Sequence, residues 1–468
     1  MGLNPSMFEQ LGAHAVPKNR QPELVRVLGI WEATAIVVAS MIGSAIFVVP
    51  SQITREVGSA RAGVAVWVLS GILSLFGAMS FAELGAMMPQ AGGQYVYLRK
   101  AYGPLVSFLF GWTLFLAAQS GGIAAVAAGF ARYLATFLTL SVGQQRLAAG
   151  AVILVLTGIN YCGIRQSGRM QSLLTGITTG IVVLLFLLGY LLVRGVAASS
   201  EGSLPGPVGI GFLSSFGVAA AAALWAYDGW NTLTFAGGEI NKPERNIPIA
   251  LLGGTGLVIV MYVGLNLLYY HVLTVPEIAR SPRVAADAAT RILGIRGSQA
   301  VAAAIVISAF GSANVSVLAG ARVYYAMAQD GLFFGWCAAV HPRFRTPHHA
   351  LIAQAGWSVL LVSMAGYEQL FTYTVFAAWI FYALTAFGLI VLRWTQPQWP
   401  RPYRVVGYPW VPLVFVVTAM LFMANTVVRN LLEAGLGVLL MALGVPVYFF
   451  WARKAIVGEE RRLNKTDE

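Results

Sequence analysis

The sequence predicts an all-α polytopic membrane protein, and three observations support this fold class. Hydrophobic residues make up 58% of the 468 positions and charged residues only 10%, with a mean hydropathy of +0.72, a composition atypical of water-soluble globular chains. Apolar runs recur with roughly the 20 residues that cross a hydrocarbon core. The alternating pattern of a membrane β-strand is absent, so we expect the backbone amides to be satisfied within helices.

The apolar runs are separated by charged or Pro/Gly-rich segments and predict about twelve transmembrane helices. The predicted spans are 28-54, 62-89, 103-137, 147-164, 173-194, 212-238, 248-273, 298-329, 349-366, 370-393, 408-429 and 433-452. They divide the chain into an N-terminal segment (1-27), five spans (28-194), five more (212-393), two further helices (408-452) and a tail (453-468). The N-terminal segment is polar and lacks the apolar run of a cleavable signal, so we expect the first span to be retained.

Basic residues are distributed unevenly between the two predicted sides of the membrane. Of the 30 Lys and Arg residues, 20 fall on the side of the N-terminus and 10 on the other. The positive-inside rule then predicts a cell-membrane protein with both termini cytoplasmic, and it explains the net charge of +12 without a nucleic-acid partner. Residues 274–297 oppose this orientation, because the predicted external loop carries four arginines.

Two spans contain a small, polar patch at membrane depth. The first contains residues 41–47 (MIGSAIF), and the sixth contains residues 225–231 (WAYDGWN). Gly or Ser weakens a helix interior by up to about 1 kcal/mol, and an acid at the bilayer centre costs at least about 2.5 kcal/mol. Such costs usually indicate function. The patches lie five spans apart, as expected if the chain consists of two related halves and the first helix of each half is broken.

A broken helix releases backbone groups that a ligand can bind. The amides that begin a half-helix, at Ser44 to Ile46, suit a carboxylate. The carbonyls that end one suit an ammonium group, and the candidates are those near Met41, Ile42, Trp225 and Ala226. An amino acid zwitterion fits both. The predicted substrate-binding residues are Ile42, Gly43, Ser44, Ala45, Ile46, Trp225, Ala226, Tyr227 and Asp228. The alternatives are close helix packing at Gly43 and Ser44, and a helix-capping role for Asp228.

Other side chains are candidates for gating or ion coupling. Phe47 and Trp225 flank the breaks and are placed to cover a substrate, although interior packing explains Phe47 equally well. Ser308 and Ser312 share a helix face and, with Asn314, are candidate ion ligands. Hydroxyl groups that bond to their own helix backbone are the simpler explanation for the serines.

Four segments carry a resemblance to a known family. They are residues 42–50 (IGSAIFVVP), 81–104, 226–248 and 310–322. Together they resemble amino acid-polyamine-organocation transporters, in particular bacterial relatives of the L-amino acid transporter branch. The resemblance implies two inverted five-helix repeats with broken helices 1 and 6, as in leucine transporter-like folds, then two extra helices. It also implies alternating access around a site midway through the membrane.

The same resemblance implies that Ser44 and its neighbours face the substrate carboxylate and that Trp225 is an aromatic gate. This sequence departs from the family pattern at three places, and each limits what the resemblance implies. Ala45 stands where the family usually has Gly, and Thr178 stands where many members have a lysine facing the first span. Residues 139–146 lack the cysteine that joins animal relatives to a heavy subunit, so we expect no disulfide-linked partner.

We therefore expect a secondary active transporter of neutral L-amino acids, without a cofactor or a metal. Exchange and symport with a proton or sodium remain open, as do the particular amino acid, the oligomeric state and the direction of transport. The alternative substrate is another small amine, such as a polyamine or a cationic amino acid. A membrane enzyme or a channel is the alternative class, but the histidines at 341–349 fit a solvated loop better than a metal site, and pore-lining repeats are absent.

Overall fold

The computed structural model describes residues 23–43, 45–193, 210–364, 367–429 and 431–453. Ser44 and most of the predicted terminal segments, 1-27 and 453-468, lie outside the described residues. Nearly all of the described chain is helical. The helices of the first half are α1 (Ile30–Met41), α2 (Ala45–Val57), α3 (Ala60–Met87), α4 (Gln94–Tyr102), α5 (Pro104–Leu134), α6 (Val142–Tyr161) and α7 (Ile164–Leu192).

The second half continues the pattern and begins with another interrupted helix. Its helices are α8 (Ile210–Ala226), the 3₁₀ helix α9 (Trp230–Glu239), α10 (Pro243–Val272), α11 (Val275–Arg280), α12 (Val284–Leu293), α13 (Ile295–Gln329), α14 (His348–Ser363) and α15 (Tyr367–Thr395). Two last helices follow, α16 (Trp410–Arg429) and α17 (Leu431–Ala442).

The described helices confirm an all-α, multi-pass membrane architecture. Nine helical stretches of the described chain are long and apolar enough to cross a membrane, the last of them Ala434–Arg453, which extends beyond α17. They coincide with nine of the predicted spans. The other three predicted spans correspond to the pair α1 and α2, the pair α8 and α9, and α14, which has 16 residues. The predicted boundaries were less accurate: α7 begins at Ile164, nine residues before the predicted span at 173, because its polar first turns carry little hydropathy signal.

Packing between the halves follows a regular scheme. α3 packs along α10, α5 along α13, and α6 along α14, while α1 and α8 lie against α10 and α3 respectively. If the second five spans repeat the first five, each of these three pairs joins a helix to its own counterpart. A pseudo-two-fold axis between the halves would produce this pairing. The inverted repeat itself stays a prediction.

The segment at 274–297, predicted as a loop, instead contains α11 and α12. Thr274 caps α11, and the Glu277 carboxylate accepts hydrogen bonds from the Thr274 amide at 2.7 Å and from Arg291 at 2.8 Å. The Thr274 amide, and then Arg291, lower the pKa of Glu277. Both short helices pack against α2. Part of the positive charge of the four arginines in residues 274–297 is therefore neutralised by nearby carboxylates.

A buried ion pair joins the two parts of the fold at one end of the bundle. Arg322 of α13 donates to both carboxylate oxygens of Glu239 at 2.6 and 3.1 Å, and both side chains are 0% exposed. The Glu239 carbonyl also accepts the amides of Val27 and Leu28, just before α1, at 2.9 and 3.0 Å. One residue thus connects α9, α13 and the start of α1.

Replacing Glu239 with glutamine is expected to destabilise the protein by roughly 3 to 5 kcal/mol, because it leaves the Arg322 guanidinium buried without its anion. The apparent melting temperature of the detergent-solubilised protein measures the effect. Glu277→Gln is the matched control, since it removes a carboxylate from the exposed Arg291 pair, which contributes at most about 1 kcal/mol. Equal losses in the two variants would contradict the role assigned to burial.

Candidate functional site

The first helix break lies between Met41, where α1 ends, and Ala45, where α2 begins. Ile42 leaves the helical conformation, with φ −78° and ψ 84°. Its released carbonyl oxygen accepts a hydrogen bond from the Ser308 hydroxyl of α13 at 2.7 Å. A Cβ on Gly43 would meet no atom within 4 Å, so this residue borders open space.

The second break lies between Ala226, where α8 ends, and Trp230, where α9 begins. Gly229 turns the chain with φ 106°, and a Cβ there would lie 2.5 Å from the Ser40 carbonyl oxygen. The Ser40 hydroxyl in turn lies 2.8 Å from the Gly229 carbonyl oxygen and donates to it. The two breaks are therefore in direct contact, and glycine is required for that contact.

Tyr262 of α10 connects the ends of the two half-helices. Its hydroxyl donates to the Met41 carbonyl oxygen at 2.8 Å and lies 3.3 Å from the Ala226 carbonyl oxygen. Met41 O also accepts the Gly43 amide at 2.9 Å, so both of its lone pairs are used. The Met41 carbonyl, a predicted ammonium ligand, thus already accepts two hydrogen bonds, whereas Ala226 O retains more acceptor capacity.

A cavity of about 200 Å³ lies between the breaks on one side and α5, α13 and α15 on the other. The predicted residues that line it are Gly43, Ala45, Trp225, Ala226, Asp228 and Ser312. Tyr227, Ile46 and Phe47 are instead buried in apolar packing and do not border it. Ser44 lies outside the described residues. The sequence pattern located both breaks but not which side chain of each break points inward.

Asp228 is the only formally charged residue among the described residues that line the cavity. Its Oδ1 accepts a hydrogen bond from the Tyr382 hydroxyl at 2.9 Å. Close by, Asn231 donates to Gln94 at 3.1 Å, and Gln94 donates to Thr385 at 3.0 Å. These bonds connect the second break to α4 and α15.

Gln94, Gln119 and Tyr382 also line the cavity, and the sequence reasoning missed all three. Gln94 falls within the segment at 81–104, so that resemblance was the available signal. Gln119 follows a π-helical turn at Leu114–Ala118, a distortion often found at functional sites. Neither that turn nor the approach of Tyr382 to the break is visible in the sequence.

The cavity is closed at one end by contacts that its other end lacks. α1 and α9 pack against α13, and the Glu239 contacts hold them there. α2 and α8 pack chiefly against each other, α3, α11 and α12. Trp225 lines the cavity and is 39% exposed. The described contacts therefore close the cavity at the end formed by α1 and α9.

The remaining predicted residues separate into two places. Ile42, Thr178 and Ser308 line a second, smaller cavity of about 10 Å³ between α1, α7 and α13. Asn314 lines neither cavity, because its amide accepts from Asn160 at 2.9 Å and donates to Gln171 at 3.0 Å. Ser308 and Ser312 thus face different cavities. No cluster of His, Cys, Asp and Glu suited to a metal ion occurs in the described part of the chain.

A bundle of membrane-spanning helices with two facing breaks around a central cavity defines a membrane carrier of small polar solutes. The chain belongs to the amino acid permease family, whose model matches residues 28–448. It is therefore a multi-pass membrane protein of amino acid transport and not an enzyme.

Individual relatives agree with this assignment. The serine/threonine exchanger SteT of Bacillus subtilis is 29% identical over 429 residues, which cover 91% of this chain and 97% of that protein. The human b(0,+)-type amino acid transporter 1 is 30% identical, over 92% of this chain and 90% of that protein. The mouse large neutral amino acids transporter small subunit 2 is 30% identical, over 92% and 82% respectively.

The contact between the breaks predicts a strong effect of Gly229→Ala. The methyl group would collide with the Ser40 carbonyl oxygen, and the positive φ alone costs alanine roughly 1 to 3 kcal/mol. We expect a lower melting temperature and little uptake in liposomes. The control is Gly253→Ala on α10, where a Cβ meets no atom within 4 Å. If Gly229→Ala behaved like this control, the breaks would not need to touch.

Proposed function

We propose that this chain exchanges neutral L-amino acids across the cell membrane by alternating access. The observation that supports this most directly is that both helix breaks face one cavity of about 200 Å³. The amides that begin α2, at Ala45 and Ile46, bind the substrate carboxylate, since the first amides of a helix lack intrahelical partners and lie at the positive end of the helix dipole. Ser44, which the sequence predicts as a third such amide, lies outside the described residues. This half of the site serves every α-amino acid alike.

The substrate ammonium group binds at the second break. The end of α8 offers the carbonyl groups of Trp225 and Ala226, and Asp228 offers a carboxylate oxygen beyond the one that Tyr382 occupies. The Tyr262 hydroxyl holds this half-helix end against α1. Because the two breaks are in contact, the sites for the two charges of the zwitterion have a fixed separation.

Alternating access requires that the closed end of the cavity opens. The amides of Val27 and Leu28 bond to Glu239, so α1 and α9 move as one unit against α13. We assign the gates accordingly: Trp225, which lines the cavity, acts on the side of α2 and α8, and the Glu239 contacts act on the side of α1 and α9. Phe47, the other predicted gate, is packed in the apolar core and does not border the cavity. We place both termini on the cytoplasmic side, following the distribution of basic residues.

Exchange is favoured over proton-coupled symport by the smaller cavity. Its described lining contains Thr178 and Ser308 but no ionisable side chain, and the Ser308 hydroxyl already donates to the Ile42 carbonyl. A proton has no site there, and Thr178 does not supply the charge that a lysine would. Exchange, driven by amino acid gradients alone, needs no such site.

We further propose that the chain works without a disulfide-linked subunit. One relative is named as a small subunit, but this chain has only Cys162 and Cys337, neither of them within residues 139–146. Cys337 is buried, and burial raises its thiol pKa to about 12. Membrane lipid is then the remaining expected partner.

Exchange predicts trans-stimulation in proteoliposomes. Uptake of a labelled neutral amino acid should rise at least several-fold when the vesicles contain an unlabelled one, because the loaded carrier returns faster than the empty one. Imposed sodium or proton gradients should add little. If a sodium or proton gradient drove uptake into vesicles without internal amino acid to the level seen in loaded vesicles, this result would contradict exchange and indicate symport.

Cationic amino acids are a second candidate substrate, and Asp228 is the observation that favours them. A zwitterion carries no net charge, so the one carboxylate in the described cavity lining is balanced if the substrate side chain is a cation. Polyamines fit less well, because they lack the carboxylate that the amides of α2 would bind.

Asp228→Asn separates the two candidates. If Asp228 binds the α-ammonium group, the KM values for alanine and lysine should both rise about tenfold or more, since a charge-assisted hydrogen bond is lost. If it binds a cationic side chain, lysine uptake should fall while alanine uptake persists. The control is Asp287→Asn, on α12 and away from the cavity. Unchanged KM values for both substrates would remove Asp228 from the site.

A further inference from the structure

Three polar groups lie on the wall of the cavity opposite the helix breaks. Ser312 and Ser316 are one helical turn apart on α13 and both line the cavity. Gln119 of α5 lines it beside them, and its Nε2 donates to the Ser316 carbonyl oxygen at 2.8 Å. These residues form the polar wall, defined as Gln119, Ser312 and Ser316.

The two serine hydroxyls do not bond to their own helix. Hydroxyls on apolar helices commonly donate to the carbonyl four residues earlier, as Thr54 does to Pro50 at 2.8 Å and Thr113 does to Leu109 at 2.8 Å. Neither Ser312 nor Ser316 has a hydrogen-bond partner for its hydroxyl within the described chain. Both hydroxyls are thus available to a molecule in the cavity.

The position of Gln119 leaves a third group available. The Ser316 carbonyl can only accept a hydrogen bond, so the amide nitrogen of Gln119 must face it. The amide oxygen, Oε1, then has no partner within the described chain. Gly320 permits this arrangement, because a Cβ there would lie 2.6 Å from Cγ of Gln119. The wall therefore offers one acceptor and two hydroxyls.

We propose that the polar wall selects amino acids whose uncharged side chains carry a hydroxyl or an amide over aliphatic ones of equal size. This inference rests on the proposed function, which places the two charged groups of the substrate at the breaks and its side chain across the cavity. A substrate hydroxyl donates to Oε1 of Gln119 and accepts from Ser312 or Ser316. An aliphatic side chain displaces water from these groups and leaves them unpaired.

The discrimination comes from hydrogen bonding rather than from volume. A site built to bond a hydroxyl rejects the analogue without it more strongly than an apolar pocket rejects a change in size. The wall contains no charged residue, so an acidic side chain finds no cation there. Among neutral amino acids, serine, threonine, asparagine and glutamine have the matching chemistry.

Competition between amino acids of equal shape tests the proposal. Threonine against valine, and asparagine against leucine, differ in hydrogen bonding with little change in size. We expect threonine and asparagine to inhibit labelled-substrate exchange at concentrations at least about tenfold lower than their aliphatic counterparts. Equal inhibition within each pair, in vesicles that exchange neutral amino acids, would overturn the inference and leave the proposed exchange intact.

Three variants locate the effect on the wall. Ser312→Ala, Ser316→Ala and Gln119→Leu should each lower the threonine-to-valine preference several-fold, while valine inhibition stays the same or improves. The control is Ser358→Ala on α14, which removes a buried hydroxyl that also lacks a partner but lies outside the cavity. An unchanged preference in all three variants would overturn the assignment. Absence of any neutral amino acid exchange in the parent protein would overturn both proposals.

Discussion

A helix that is interrupted inside a membrane must find partners for the backbone groups it releases, and the rest of the structure depends on how this is done. The Tyr262 hydroxyl serves the ends of α1 and α8 together, and Ser308 serves the Ile42 carbonyl. Gly229 lets the two breaks approach to contact. Since water does not satisfy these groups in the hydrocarbon region, protein side chains do. The groups left over then define the substrate site.

The same constraint explains where the charges lie. Glu239 and Arg322 are fully buried, and the hydrogen bonds between them offset the free-energy cost of removing both charges from water. They sit at the end of the cavity where α1, α9 and α13 meet. Asp228, by contrast, faces the cavity with only the Tyr382 hydroxyl as its side-chain donor. The paired charges lie at the closed end, and under the proposed function Asp228 binds the substrate.

The two walls of the cavity have different tasks under the proposed function. The wall that the two helix breaks form supplies backbone groups and Asp228, which recognise features common to all amino acids. The polar wall of Gln119, Ser312 and Ser316 faces the part of the substrate that differs from one amino acid to another.

The sequence by itself determined the membrane class, the helical fold and the positions of both breaks, because composition, apolar run length and residues such as Gly43 and Gly229 are local properties. Only the tertiary structure decided which groups are free. In the structure the Met41 carbonyl accepts two hydrogen bonds, the side chains of Tyr227 and Phe47 pack in the apolar core, and Ser308 and Ser312 line different cavities. The physical reason is that availability depends on hydrogen-bond partners from distant helices, such as Tyr262, and no local pattern specifies them.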